Sequence, residues 1–530
     1  RNALLMLAAG LLGFALAAAQ LVPTLEYLLQ SQRSTGLDRE FALTYSFWPW
    51  RLAGLIAPNL FGSPAAGNYW GYGNFWEDAI YIGVFPLLMA IVAIASFRGR
   101  QEKYRGLTAF LLSAGALSLV FALGKNTPVF PFLYDNVPTF DLFQAPARWN
   151  LIFVFSLSLL AAIGAGRWRT PEGRGLYWTR LGTAGAGIIG VASYAGSLLL
   201  GDVEATFIPA FARAGLMLFA AGLLTLFLKK DKPWRVVASL ALFLLVDLVT
   251  AGYGLNPSID LGVFEGESEM TSFVEGTERV YMPSDLEQQV KFERTHRFNT
   301  YSPAIDWREV RDIGLPNSTM LDDIHSANNF DPFTPARYER WIEWLESMPE
   351  GDRATVLHWV DVRWHARADE DGVLGVTYED LGTSERVHMA PEAVNVDSGQ
   401  EVLKLLSRST YDPTEHVLLE GAVNNLPSGS GGQALIVSQS NPNRVHIEAS
   451  SAGGGWLLLM DTWYPGWSVF IDGDETECYR ANYLFMSVWV PQGDHFIEFR
   501  YQPSYFIYAA FFAGAAWLTA IGLAIRQRRR

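Results

Sequence analysis

Apolar residues along this chain gather into eight blocks of about 16 to 21 positions that are nearly free of charge, near 3–20, 79–97, 107–124, 150–166, 181–200, 208–228, 236–252 and 505–525. A helix rises about 1.5 Å per residue, so ~20 apolar residues cross a hydrocarbon layer of about 30 Å. A single such block would also suit a buried helix of a soluble protein. Eight of them, each flanked by charge, predict a polytopic α-helical membrane protein of about eight spans, embedded in the lipid bilayer.

Between blocks seven and eight the pattern changes. Pro335, behind Thr334, suits the first position of a helix whose apolar residues recur at Trp341, Trp344 and Leu345. Ser398 and Glu401 read as a capping box opening a short helix through Leu406. From 433 onward alternation predicts strands at Gln433–Val437, Arg444–Ser450, Gly455–Trp463, Gly466–Ile471, Tyr483–Val490 and His495–Tyr501, with turn chemistry at Asp472-Gly473 and Gln492-Gly493. The run Ser428–Gly432 reads as a loop tip. Residues 253–504 are therefore expected to form one α+β domain, β-rich from 433 and sandwich-like at its C-terminal end. Residues 1–252 form the helical core, 505–525 the last span and 526–530 a basic tail.

Charge orients this arrangement. With Arg1 placed inside, alternating spans put seventeen Lys and Arg on the cytoplasmic side, in Arg1, 98–106, 167–180, 229–235 and the tail. Only Arg33, Arg39, Arg51, Lys125, Arg148 and the boundary residue Arg213 fall on the other side. The positive-inside rule favours that topology, with the C-terminus cytoplasmic and 253–504 extracytoplasmic. That domain carries a net charge of −24 against +10 for the rest of the chain, which argues against nucleic acid as a partner. The single cysteine, Cys478, excludes an internal disulfide. All eight histidines, His296 to His495, lie in the acidic domain without metal-binding spacing, and no Walker loop or dinucleotide fingerprint is present. A nucleotide-sugar enzyme or an ATP-driven pump is disfavoured.

Two outer loops are unusual. The first, roughly 21–78, holds Phe47-Trp48-Pro49-Trp50, Pro58-Asn59-Leu60-Phe61-Gly62 and the run from Tyr69 to Asp78; its stretch Trp50–Leu60 is too short to span and suits an interfacial or re-entrant segment. The second, 125–149, ends Ala145-Pro146-Ala147-Arg148-Trp149. Farther on come Leu315-Pro316-Asn317, Asn329-Phe330-Asp331-Pro332 and Arg337-Tyr338, then Asp461-Thr462-Trp463-Tyr464-Pro465-Gly466-Trp467, Ile471-Asp472-Gly473, Ala481-Asn482, Pro491-Gln492-Gly493-Asp494-His495 and Tyr501-Gln502-Pro503. Together with Gln20-Leu21-Val22-Pro23-Thr24-Leu25-Glu26, these segments resemble the signature of the YfhO-type bacterial membrane proteins over nearly the whole chain. That family is similar to the GT-C glycosyltransferases, which take sugar from a polyprenyl-phosphate donor on the outer membrane face. The resemblance implies a GT-C-like core in the bacterial plasma membrane and transfer of sugar to a cell-envelope glycopolymer. Members are usually longer at the N-terminus, so it also implies an N-terminally truncated chain, with the catalytic acid of such a core in the preceding segment.

Such a transfer needs a carboxylate to take the acceptor proton, cations or a divalent metal ion to receive the departing phosphate, and aromatic faces for the sugar. Glu26, at the mouth of the first span, and Glu77 and Asp78, before the second, are the catalytic candidates. The same residues suit solvated charges at helix ends. Arg33, Lys125 and Arg148 are candidates for the donor phosphate, Arg148 first because a guanidinium grips phosphate in a bidentate way; lipid headgroups or loop carboxylates are its alternative partners. Trp70, Tyr72, Trp76 and Tyr81 could stack on sugar, and an interfacial belt uses the same residue types. Asp247, inside the seventh span, is a functional candidate as an intramembrane acid. Trp463, Trp467 and Trp489 suit either a carbohydrate-facing surface or the core of a sheet. The competing class is a non-enzymatic flippase, transporter or assembly partner for lipid-linked glycans.

Overall fold

The computed structural model describes residues 2–97, 104–168, 171–199, 207–227, 233–295, 297, 299–301, 306–331, 333–408, 410–421 and 426–528. Of the residues used above, Arg1, Arg98, Arg100, Lys103, Arg169, Lys229, Lys230, Lys232, His296, Pro332, Arg529 and Arg530 lie outside the described residues. The longer helices are α1 (Asn2–Leu16), α2 (Ala18–Gln30), α3 (Val84–Ala95), α4 (Arg105–Ala122), α5 (Asn150–Arg167), α6 (Gly173–Leu199), α7 (Phe207–Phe227), α8 (Pro233–Gly252), α9 (Ala336–Glu346), α10 (Glu350–Trp359), α11 (Gly399–Leu406) and α12 (Ser504–Arg528).

Each apolar block is helical over most of its described residues, and some of these helices are long and apolar enough by themselves to cross a membrane. Among the described residues five helices are long and apolar enough to cross a membrane: α4, α5 with its lead from Pro146, α7, α8 and α12. The pair α1 and α2, bent by 75°, would make a sixth. The block 79–97 is shorter as a helix for a local reason. Residues 79–83 stay irregular up to Gly83, at φ 96°, leaving α3 only 12 residues. The block 181–200 falls largely in α6, which at 27 residues is long enough to cross a membrane. A further difference is that residues 21–30 continue as helix around Pro23, so the first long loop begins after Gln30. Its apolar stretch near Trp50 is a 3₁₀ helix, Pro49–Leu55.

The described chain divides into two compact units. One comprises Gly36–Val263 with Lys291–Asp306. Its helices α3, α4, α5, α7 and α8 share a core that includes Phe85, Met89, Leu111, Leu160, Ala221 and Phe243. Small residues set the closest approach in this unit: a Cβ on Gly215 of α7 would lie 2.6 Å from the backbone of Gly190 on α6, the close backbone packing that glycines allow between membrane helices.

The other unit comprises Arg1–Thr35, Phe264–Val290 and Trp307–Arg530. Here α12 packs on α1 and α2, burying the small residues Ala509, Ala513 and Ala516. Three sheets follow. A short mixed sheet pairs Arg279–Tyr281 in parallel with His325–Ser326 and with Val362–Val373. A six-stranded sheet runs in the order Val387–Ala390, Gly455–Leu459, Phe485–Val490, Tyr479–Ala481, His416–Glu420, Glu392–Val396. A five-stranded antiparallel sheet runs in the order Asp474–Thr476, Trp467–Ile471, Gly493–Tyr501, Arg444–Ser451, Gln433–Asn441. The last two face each other across one core, where Leu457, Met486 and Val488 meet Val445, Ile447, Val469 and Phe499. Their burial patterns follow from position. Arg444–Ser451 buries every second residue, because one face meets the core and the other meets solvent. Gly455–Leu459 is buried throughout, because α9, α10 and α11 cover its second face through Trp341, Leu345, Leu357 and Val402.

The expected turns appear where glycine and its neighbours allow them. Asp472 and Gly473 both take positive φ, 51° and 94°, which fits the twist of a two-residue hairpin. Ser398 Oγ accepts from the Glu401 N–H, 3.3 Å away, and opens α11. The start of α9 differs from expectation: Pro335 precedes the helix rather than opening it, and the Thr334 hydroxyl binds the Glu339 carboxylate instead of capping the backbone.

Candidate functional site

Eight of the ten residues singled out by sequence fall in the unit containing Gly36–Val263; Glu26 and Arg33 fall in the other. In the first of these, the centre of the site is Arg51, carried by the Pro49–Leu55 turn. Its guanidinium pairs with Asp78 at 3.0 Å, bonds the Tyr69 hydroxyl at 2.5 Å and lies 4.5 Å over the Phe61 ring. Both charges are almost out of water, with the Arg51 and Asp78 side chains 6% and 8% exposed. The local fold that brings them together depends on Gly62, at φ 79°, where a Cβ would sit 2.1 Å from the Asn68 carbonyl oxygen.

This pair borders a cavity of about 210 Å³, lined also by Phe61, Phe75, Tyr81 and, from the end of α8, Leu248. Burial pushes the Asp78 carboxyl up to about 6; Arg51 pulls in the opposite direction and the neighbouring charge of Glu77 adds to the rise. A carboxyl in that range exchanges protons near neutral pH, and a guanidinium beside it attracts anions.

Glu77 turns away from this pair. It receives Arg148 in a two-pronged contact, Nε at 3.0 Å and Nη2 at 2.8 Å, so the leading phosphate candidate is engaged by a loop carboxylate, although its side chain remains 67% exposed. Lys125 sits 5.2 Å from the Tyr72 ring centre. Trp76 stacks on Tyr301 at 5.8 Å, and Trp70 meets Phe61 edge-on at 5.3 Å. Trp70, Tyr72 and Trp76 are each about half exposed. Tyr81 lines the cavity, yet its hydroxyl donates to Asp247 at 2.5 Å. Asp247, fully buried, also accepts from the Val84 N–H and from Arg213 at 2.8 Å each. The intramembrane acid is thus a paired group that holds the start of α3 against α8. The structure therefore gathers Asp78, Tyr81 and Arg51 at one cavity and couples Glu77 to Arg148. It does not bring Lys125, Trp70, Tyr72 or Trp76 into that lining.

In the other unit, Glu26 lies on α2 beyond the bend rather than at the end of the first helix. One oxygen accepts hydrogen bonds from Tyr464 at 2.8 Å and Tyr505 at 3.1 Å; the other is buried without a hydrogen-bond partner among the described residues. Burial, reinforced by contact with the carboxylate, raises the Tyr464 hydroxyl above its ordinary range. Arg33 lies 4.4 Å over the Phe333 ring. Trp463 and Trp467 meet Arg480 and Tyr501, and Trp489 packs beside Trp456 at the core.

A family model described as bacterial membrane protein YfhO matches residues 1–342 and 428–512. The chain belongs to the YfhO family of bacterial membrane proteins. No curated protein and no solved structure matched it. The YfhO match includes Arg51, Asp78 and Glu26 together with the C-terminal signature. That signature is largely scaffold: Asp461 bridges Arg279 at 2.6 Å and Arg386 at 2.5 Å, Tyr464 holds Glu26, and the Asn482 side chain accepts the Leu418 N–H at 2.9 Å.

Among the described residues, no group of three or more His, Cys, Asp or Glu side chains stands close enough to hold a metal ion. Three further residues were legible in the sequence only as members of larger groups. Arg51 was visible only as one of several outer cations, Tyr69 as one of many loop aromatics, and Arg213 as a boundary charge. Their pairings are tertiary, and no spacing in the chain announces them.

Proposed function

We propose that this YfhO-family protein is a membrane glycosyltransferase with a GT-C-like core, moving a sugar from a polyprenyl-phosphate donor to a cell-envelope glycopolymer at the outer face of the plasma membrane. In this reading residues 253–504 are extracytoplasmic and the C-terminus is cytoplasmic. The observation that carries it is the buried Asp78–Arg51–Tyr69 cluster at a cavity whose mostly apolar wall includes the rings of Phe61, Phe75 and Tyr81. Asp78 takes the proton from an acceptor hydroxyl as that oxygen forms a bond to the sugar's anomeric carbon. The bond from that carbon to the phosphate oxygen breaks, and the lipid phosphate leaves with the electron pair. Arg51, close by, stabilises the charge that develops on the leaving phosphate. Arg148 and Lys125 draw the anionic donor to the rim, with the half-exposed Trp70, Tyr72 and Trp76 offering faces to sugar or lipid. Glu26, with one oxygen held by two tyrosines, acts as a positioning group.

A second reading, lipid-linked glycan transport, is favoured by one observation, the Arg213–Asp247 pair inside the helical core. Reconstitution in vesicles with a polyprenyl-phosphate-linked sugar and purified envelope glycopolymer separates the two. Asp78→Asn should lower sugar transfer by about 10²-fold or more while donor binding persists. Transfer at the wild-type rate in that variant would sink the proposal. Donor translocation without transfer, lost in Asp247→Asn, would establish the transport reading.

A further inference from the structure

We infer that a second groove, in the unit that carries the sheets, binds a neutral saccharide unit. It lies between the end of α2 and the segment Ser326–Tyr338, with about 320 Å³ of space, at the small end of pockets that take organic ligands (about 300–1,000 Å³). Its walls are fixed from both sides. The Tyr27 hydroxyl donates to the Phe333 carbonyl at 2.5 Å, the Gln32 N–H donates to the Thr334 carbonyl at 3.0 Å, and Ser31 bridges to Pro335. On the far side Asn328 is pinned to both backbone groups of Met282, and the Tyr338 hydroxyl donates to the Ala327 carbonyl at 3.0 Å.

Two properties of the lining select the ligand. Every lining side chain is uncharged, within a domain whose net charge is −24. The nearest charges, Arg33 over the Phe333 ring and Glu339 on the Thr334 hydroxyl, are engaged within the protein. The lining also pairs aromatic surface, Tyr27 against Phe333 with ring centres 6.4 Å apart, with two polar groups left over. The Asn329 amide and the Thr462 hydroxyl have no hydrogen-bond partner among the described residues, although every other polar lining side chain is committed within the protein. An amide and a hydroxyl both donate and accept, as sugar hydroxyls do, and an aromatic wall suits the C–H face of a pyranose ring. The uncharged lining, the aromatic wall and the two spare polar groups therefore point to a neutral pyranose. The sugar binding stands on this lining alone; only the source of the sugar, acceptor polymer or donor lipid, rests on the transfer reading.

The test uses the full chain in lipid nanodiscs, free of sugar-headed detergent, with glucose, galactose and N-acetylglucosamine as probes in saturation-transfer NMR. At least one sugar should bind. The double variant Asn329→Ala/Thr462→Val should lose about tenfold in affinity at an unchanged melting temperature, because neither side chain makes an internal hydrogen bond. Asn329→Ala alone, at an exposed position, provides the same readout should the double variant misfold. Absence of binding by all three sugars, or wild-type affinity in the folded variants, would overturn the inference. Competition assigns the source: displacement by purified envelope glycopolymer marks an acceptor subsite, and displacement by polyprenyl-phosphate-linked sugar a donor one. Sugar binding without any transfer would sink the transferase reading and leave this inference standing; transfer with unchanged binding in the variants would do the reverse.

Discussion

At the scale of single residues, burial decides what a charge does. Asp78 and Asp461 are both carboxylates beside arginine, and they shift in opposite directions. Asp78 has one guanidinium and little water, so burial dominates and the carboxyl rises to about 6. If it is the base, transfer should rise with pH through an inflection near 6 and level off above it. Arg51→Gln should move that inflection upward, because Arg51 opposes the rise; a pH–rate profile checks both. The stability linkage has the matching sign: the raised carboxyl stabilises the fold below its unfolded pKa, and that contribution is lost as pH rises through about 6. Asp461 is also pushed up by burial, but the Arg279 and Arg386 guanidiniums hold it below the usual carboxylate range. Its contribution is present above the unfolded pKa and lost as pH falls through the folded one. Asp461→Asn should lower stability by about 3–5 kcal/mol, since two buried cations lose their counter-charge. Thermal unfolding of the solubilised protein would register this as a lower melting temperature, and an unchanged one would refute it.

At the scale of elements, glycine and small residues govern how closely helices approach. The contact of α6 with α7 leaves no room for a side chain on Gly215, whereas Gly182 on α6 has nothing within 4 Å of its would-be Cβ. Gly215→Val should therefore cost about 1–3 kcal/mol by overpacking, and Gly182→Ala should be neutral or slightly stabilising. Melting temperatures of the two variants, compared with wild type, test the contrast; equal values would contradict the packing. Hydropathy made the apolar blocks legible as helices and alternation made the strands legible. The bend between α1 and α2 and the irregular lead into α3 were not legible. The bend falls at Ala17, six residues before Pro23 and at no helix-breaking residue, and the lead into α3 is closed by Asp247 from a distant part of the chain.

At the scale of the whole molecule, a single carboxylate links segments far apart in sequence. Glu26 on α2 receives Tyr464, from the loop after the Gly455–Leu459 strand, and Tyr505 at the start of α12. Glu26→Ala should remove both hydrogen bonds to a charged group, a loss of about 1.5–3 kcal/mol each, and expose the 462–466 loop to limited proteolysis. Were Glu26 a catalytic base instead, Glu26→Gln would abolish transfer with the melting temperature and cleavage pattern unchanged. The sequence by itself determined the membrane character, the helical and β-rich regions and the acidic balance of residues 253–504, because these rest on composition, periodicity and local turn chemistry; the family resemblance came from its motif segments. It also named Asp78, Tyr81, Glu77 and Arg148 as candidates, alongside Glu26, Arg33, Lys125, Trp70, Tyr72 and Trp76. Only the tertiary structure decided which carboxylate is buried and which is neutralised, that Arg51 rather than Arg148 shares the cavity with Asp78, and that Glu26 is tied to two tyrosines. Those outcomes depend on desolvation and on partners tens to hundreds of residues away, and neither quantity is written in the local pattern of a chain.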